Sequence, residues 1–240
     1  MSTVYTDTVT TLSPTQDLTI GTTGQTVTLP GNDLRVNTVK DKGGNTLWTS
    51  DGSGNLSSVN AGLSGNITLL TTNTFTNAAS SVFTTLIDST YDVYIFKYMD
   101  INPATDQYLQ VNFSSDGGSN YNMVKTTTFF EAYHYENGSG TGVGYNTGYD
   151  LAQSTAAQPL AQHTGAGADN CLAGALYVFA PSSTVKMKHF YATSSNLTSS
   201  AIFQNPYVAG YVNSTSAVNA VQFTVSSGNF DGIIKMYGLS

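Results

Sequence analysis

Charge is what this chain has least of. Only 10% of its 240 residues are Asp, Glu, Lys or Arg, against roughly 25% in an average domain. The basic side is thinnest, with eight Lys and Arg scattered through the sequence and a net charge of -7. A nucleic-acid binder needs a basic patch to neutralise phosphates, and none is visible. The same scarcity argues against an anionic membrane surface. There is a single cysteine, Cys171, so no intrachain disulfide can form. Its setting, "NCLAGALYVFA", predicts a small buried thiol rather than a nucleophile, which would need a nearby base and partial exposure. No apolar run approaches the ~18 residues of a membrane span. The stretch "MSTVYTDTVTTLSP" has no basic n-region and no apolar h-region. The expectation is therefore synthesis in a cytoplasm without export by the usual route. On that expectation, Asn-x-Ser/Thr triplets such as Asn66-Ile-Thr68 and Asn196-Leu-Thr198 are chance matches in a Thr-rich chain.

Helix signals are nearly missing too. The best short candidate is "YDLAQSTAA", Tyr149 to Ala157, with Asp150 as its cap. What the chain does have is 15 Tyr, 11 Phe and 23 Gly, set in short apolar runs separated by turn residues. Its length supports one large β domain or two smaller ones. The clearest alternation is "QYLQVNF", with Leu109, Val111 and Phe113 on one face and Tyr108, Gln110 and Asn112 on the other. "DVYIFKY" is apolar on both faces and suits a strand buried between layers. "CLAGALYVF", "TVKMKHFYA", "PYVAGYV", "VNAVQFTV" and "GIIKMYG" follow. The fold class expected is all-β: a C-terminal β-sandwich or jelly roll over 71–240. Before it, residues 1–70 carry Thr-rich segments ("DLTI", "QTVTL", "LRVNTV", "NTLWT", "NLSSV", "NITLL") with a turn roughly every ten residues. They read as a small β module whose core is completed by other chains or by docking on a larger body.

Turns decide whether there is a chemical site. "SDGSGN" and "SSDGGSNYN" look like cation loops, yet neither keeps the spacing of an EF-hand. From Asp51 the glycine position holds Leu56 and the final carboxylate position holds Gly62. From Asp116 the pattern fails sooner, at Tyr121. Asp-Gly between strands is a hairpin signal, so "QYLQVNFSSDGGSNYNMVKTTTFF" is predicted to be two long strands joined by a tight turn.

Catalytic patterns are sparse. No Gly-x-Ser-x-Gly or His-Glu-x-x-His occurs. No glycine-rich loop precedes a helix. The histidines, His134, His163 and His189, lie far apart in the sequence. His134 and Glu136 would share a strand face, too few ligands for a metal. Glu131 and Glu136 are the only glutamates among 15 acidic residues; they read as a charged strand rim rather than as a glycosidase pair. The sequence thus predicts no catalytic, cofactor-binding or metal residues and no cofactor. Long polar loops are expected at 136–150 and 158–170, where binding would reside. Tyr145 and Tyr149 there are candidates to stack on sugar rings or to plug the loop.

Several stretches carry a family resemblance: "STYDVYIFKYMDINPATD", "SSDGGSNYNMVKTTTFFEAYH", "GYDLAQSTAAQPLA", "ALYVFAPSSTVKMKHF" and "SSGNFDGIIKMYGLS". Together they span most of residues 75–240. In these the chain resembles a group of virion structural proteins of marine and cyanobacterial tailed bacteriophages. "LRVNTVKDKGGNTLWTSDGSGNLSSV" is similar to short β segments of phage fibre and head-decoration proteins. The resemblance implies a non-enzymatic homotrimer on the virion, most readily a capsid decoration or head fibre. Its N-terminal module would attach it to the major capsid protein or another virion protein. The alternative is a tail-fibre or receptor-binding protein recognising a host surface glycan.

Overall fold

The computed structural model describes residues 36–57, 59–60 and 67–239. The expected segments "DLTI" and "QTVTL" lie outside the described residues. The chain divides into two compact units, residues 1–63 and 64–240. In the first unit, β1 (Thr38–Lys40), β2 (Thr46–Ser50) and β3 (Leu56–Ser57) form an antiparallel sheet in that order. Trp48 stands opposite Val39. Such short strands bury little, and every residue of β2 is only half-buried.

The second unit is built of twelve strands in two sheets. The large sheet contains β4 (Ile67–Ala78), β6 (Val93–Pro103), β8 (Lys125–Tyr135), β9 (Thr141–Tyr145), β11 (Leu172–Phe179), β12 (Lys188–Leu197), β13 (Ile202–Val212) and β15 (Phe230–Leu239). Their order is β4-β15-β6-β11-β12-β13-β8-β9. The small sheet contains β5 (Ser81–Phe83), β7 (Leu109–Ser114), β10 (Gln158–Pro159) and β14 (Ala220–Val225), ordered β10-β7-β14-β5. All pairs are antiparallel, and the described residues include no helix. The class expected from the sequence, an all-β sandwich, is the class observed. The boundary placed near residue 70 falls inside β4, so Ile67–Leu70 belong to the large sheet and not to the N-terminal module.

The period-2 patterns set the core. Tyr94, Phe96 and Tyr98 of β6 point inward and are fully buried. Phe96 meets Phe83 edge-on at 5.2 Å and Phe223 at 5.6 Å, both from the small sheet. Phe113 meets Phe190 across the same gap at 5.1 Å. Each such aromatic pair contributes about 0.5–1.5 kcal/mol beyond the area it buries. The second apolar face of β6 has a different cause from the one expected. Among the described residues of the second unit no third layer covers it; Ile95 is buried on the outer surface because Tyr177 and Tyr237 flank it in register.

Two local expectations are overturned. Residues 149–157 form no helix. They run as an irregular segment beside β8, where Ser154 exchanges two backbone bonds with Lys125 and Thr127 N–H donates to Leu151. Those tertiary bonds outweigh a weak, short helical preference. The "QYLQVNF" and "NMVKTTTFF" strands do not form a hairpin. β7 pairs with β14 and β10, while β8 pairs with β13 and β9, so the "DGGSN" turn carries the chain from one sheet to the other. Alternation reports which face is buried and not which strand is the neighbour. The two long loops are present, each interrupted by a short strand. Residues 141–145 are the edge strand β9, and 158–170 begins as β10 with Leu160 and Ala161 fully buried.

Pro206 sits in the middle of β13, an interior strand, where a missing N–H normally disfavours proline. Pairing with β12 lapses there, between Tyr207–Thr193 and Gln204–Asn196. The Asn205 side chain fills the gap by donating its amide to the Ser194 carbonyl.

Phe223 touches Phe83, Phe96 and Tyr98. Phe223→Ala is expected to cost about 3–5 kcal/mol in a denaturant titration. Val82→Ala, exposed on the neighbouring strand, is expected to stay within roughly 0.5 kcal/mol.

Candidate functional site

The carboxylates of the glycine-rich turns are already occupied. Asp116 Oδ1 accepts from Ser114 Oγ at 2.7 Å and Asn120 N at 2.9 Å, and Oδ2 accepts from Asn120 Nδ2 at 2.8 Å. Asp51 does the same with Ser53 N and with the backbone and side-chain nitrogens of Asn55. Asp41 repeats it with Asn45. The shared device is an Asp whose two oxygens clamp an Asn four residues on. These donors lower all three acids, and Asp116, bonded first by the Ser114 hydroxyl and then by Asn120, falls to about 2. Gly118 is required inside its loop: φ is +89°, and a Cβ would meet Tyr121 Oη at 2.7 Å. The turns close themselves with neutral donors and do not present a ring of free oxygens.

The remaining sequence candidates do not converge. His134 and His189 are exposed on the outer face of the large sheet, facing Phe203 and Tyr211 of β13. Those partners are eight residues apart, about 26 Å along a strand. His163 packs against Tyr108 at 5.7 Å. Among the described residues no group of three or more His, Cys, Asp or Glu could hold a metal. Glu136 lies beyond the end of β8, in the turn, so it shares no strand face with His134.

Two expectations are corrected here. Cys171 is exposed rather than buried, because it precedes β11 and the inward phase starts at Leu172. Glu131 is no solvated rim charge. It points inward with 8% of its surface exposed. Gln162 Nε2 donates to its Oε1, and the chain of bonds continues through Gln204 to Asn196 and the His163 carbonyl. Burial raises the Glu131 carboxyl, with the Asn146 side chain working against the shift. The sequence signal was its phase: Glu131 alternates with Phe129 and Thr127, both inward.

Two lysines were likewise missed. Lys125 and Lys188 flank Val212 in register, and neither has any exposed surface. Lys125 Nζ donates to Asn112 Oδ1 at 2.6 Å and Met123 O at 2.8 Å; Lys188 Nζ donates to Ser214 O at 3.1 Å. These acceptors are neutral, so desolvation wins and pulls Lys125 down to about 8.

The feature that sets this molecule apart is the outer face of the large sheet. Leu69, Tyr237, Ile95, Tyr177, Tyr191, Ala209 and Thr128 stand opposite one another in register on seven consecutive strands. A parallel row runs from Thr72 through Lys235, Lys97, Ala175, Thr193, Tyr207 and Phe130 to Tyr145. Phe130 and Tyr207 stack at 5.1 Å and Tyr177 and Tyr191 at 4.6 Å. Phe203, Val143 and Phe179 are exposed on the same side. Tyr145 belongs to this face, with its hydroxyl donating to Asp150 at 2.6 Å. Tyr149 does not: it packs on Phe129 and Tyr108 and plugs the loop. Between Tyr191 and Tyr211 the face dips into an open groove of about 410 Å³, lined also by Phe179, His189, Ala209 and Thr128.

Comparison of the chain with protein-family models, with curated proteins and with solved structures finds no match in any of the three.

Lys125 provides a test of the buried cation. Its folded pKa lies below the unfolded value of about 10.4, so the unfolded state binds more protons between about pH 8 and 10. Stability is expected to rise with pH through that window. Lys125→Met is expected to reduce that slope, with buried Lys188, also lowered by desolvation, keeping part of it, and to keep or raise stability at pH 7, read from urea midpoints across the range.

Proposed function

We propose that this protein is a non-enzymatic structural component of the outer surface of a tailed-phage virion, a capsid decoration or head fibre that assembles as a homotrimer. The observation that carries the assembly part is the aromatic outer face. Phe130 and Tyr207 are each 43% exposed and Val143 is 77% exposed. Contiguous apolar patches of this kind on soluble proteins mark interaction surfaces.

The chemistry of the face favours a second copy of the same chain. The outward residues around Tyr207 (Phe130, Phe203, Thr193 and Asn205) carry no formal charge, so identical copies meet there without repulsion. The other half of the sheet sets Lys97 directly opposite Lys235, which disfavours self-contact on that side. The residue resemblance to phage virion proteins supplies the location and the trimeric state. The N-terminal unit would then hold the major capsid protein or another virion protein. A charge-poor chain with Asp41, Asp51 and Asp116 each bonded within its own turn suits a passive exterior protein.

A second reading, a tail fibre or tip recognising a host surface glycan, is favoured by the groove beside Tyr191.

The solution mass tests the assembly. Light scattering is expected to give three times the chain mass of 25.3 kDa. Phe130→Glu combined with Tyr207→Glu is expected to return a single-chain mass with the sandwich still folded. A wild-type protein at single-chain mass would overturn the trimer. Antibody labelling of intact virions is expected on the head; labelling of the tail tip would select the second reading, and no labelling would overturn both.

A further inference from the structure

We infer that the free edge of β4 is a strand-addition site, which takes an extended, uncharged segment of another protein as a ninth strand of the large sheet. The inference goes beyond the virion reading and stands on observations of its own.

The large sheet ends at β9 on one side and at β4 on the other, and the small sheet ends at β10 and β5. Three of these edges are blunted. β10 has two residues, one of them Pro159; β5 has three; β9 has five, two of them glycine. β4 has twelve, "ITLLTTNTFTNA", with no charge, proline or glycine. Short length, proline and charge are what keep an edge from recruiting further strands, and β4 has none of the three. Its β-branched composition suits an extended chain.

Bulges interrupt β4 only towards its ends. Register shifts fall between Phe230 and Gly232 and between Met236 and Tyr237 of β15. Between them Thr71, Thr72, Asn73, Thr74 and Phe75 pair regularly, a straight run of about 17 Å. In an antiparallel ladder, alternate residues turn both N–H and C=O away from their neighbour. Among the described residues no strand pairs with that side of β4. A row of donors and acceptors at strand spacing matches one chemistry, the backbone of another extended chain.

The side chains narrow the choice. An open groove of about 360 Å³ runs along the edge, lined by residues 72–75 and 80–82. Asn73 Nδ2 holds its shape by donating to Ser81 Oγ at 3.1 Å and to the Val82 carbonyl at 3.0 Å, which ties β4 to β5. Thr72 and Thr74 are exposed, and Phe75 and Val82 offer apolar surface. None of the lining residues is charged. An incoming strand sends every second side chain into this groove, where an apolar group finds contacts and a charge finds no counter-charge.

The edge strands of this chain do not supply such a segment. β5, β9 and β10 are too short or too rich in glycine. A second copy of β4 would present Asn73, whose amide is already bonded to β5, and Phe75, which already packs on Phe230 at 4.8 Å. The occupant is therefore a segment of a different protein, extended and apolar at alternate positions.

The test adds to the full chain a blocked peptide of alternating Thr and Val, with a Lys at each end for solubility. Amide NMR and hydrogen exchange are expected to show alternate amides of residues 71–75 shifting and gaining protection. The amides between them, already bonded to β15, are expected to stay as they are. A peptide with Pro at its centre loses one ladder N–H and is expected to bind roughly tenfold more weakly or worse. Val82→Asp, at an exposed position, is expected to weaken binding by roughly tenfold with the urea midpoint unchanged. Unchanged β4 amides at about 1 mM peptide would overturn the proposal. So would equal binding of the Pro peptide, or equal binding of a peptide of alternating Thr and Asp. Protection of the outward amides already present in the free chain would mean that the edge is covered from within. Protection that grows with protein concentration would make a second copy the occupant. Either result overturns the partner strand and leaves the virion reading to antibody labelling.

Discussion

The contact of Phe96 with Phe83 and Phe223 is what makes two sheets one body. Phe96 is the inward residue at the middle of β6, and both of its partners come from the small sheet. Everything placed on the inner face, including the buried lysines and the Glu131 network, depends on that apolar seam excluding water. Four strands cover the inner face of eight, and Leu160 and Ala161 of the 158–170 segment extend the cover. Among the described residues of the second unit, nothing covers the outer face with its aromatic rows.

Scarcity of charge has a structural counterpart. Asp41, Asp51 and Asp116 each close a glycine-containing turn by clamping an Asn four residues later. In this role a carboxylate acts as a fixed hydrogen-bond acceptor. The same residues that suggest a cation loop in the sequence are satisfied within their own turn. The cationic side is treated differently, with Lys125 and Lys188 buried on neutral acceptors.

Much of the sandwich was legible in the sequence because strand alternation is local. "QYLQVNF" and "DVYIFKY" are strands where the pattern placed them. Pairing was not legible, since the partner of β7 is β14, more than a hundred residues away. That is why the "DGGSN" turn looked like a hairpin. The candidate site was less legible still. Tyr177, Tyr191 and Ala209 become neighbours only through two registers of adjacent strands. Glu131 and Lys125 were readable in principle, because each keeps the inward phase of β8 with Thr127 and Phe129. Composition argued the other way, since charged residues are expected outside. Asn205 could not have been read as the substitute for the N–H that Pro206 lacks, because that role exists only beside β12.

β9 bounds the large sheet on one side. It is five residues long, and Gly142 and Gly144 alternate along it. Short, glycine-interleaved edges recruit further strands poorly. Copies of this chain brought side by side would therefore be protected at that edge against merging neighbouring sheets into fibres.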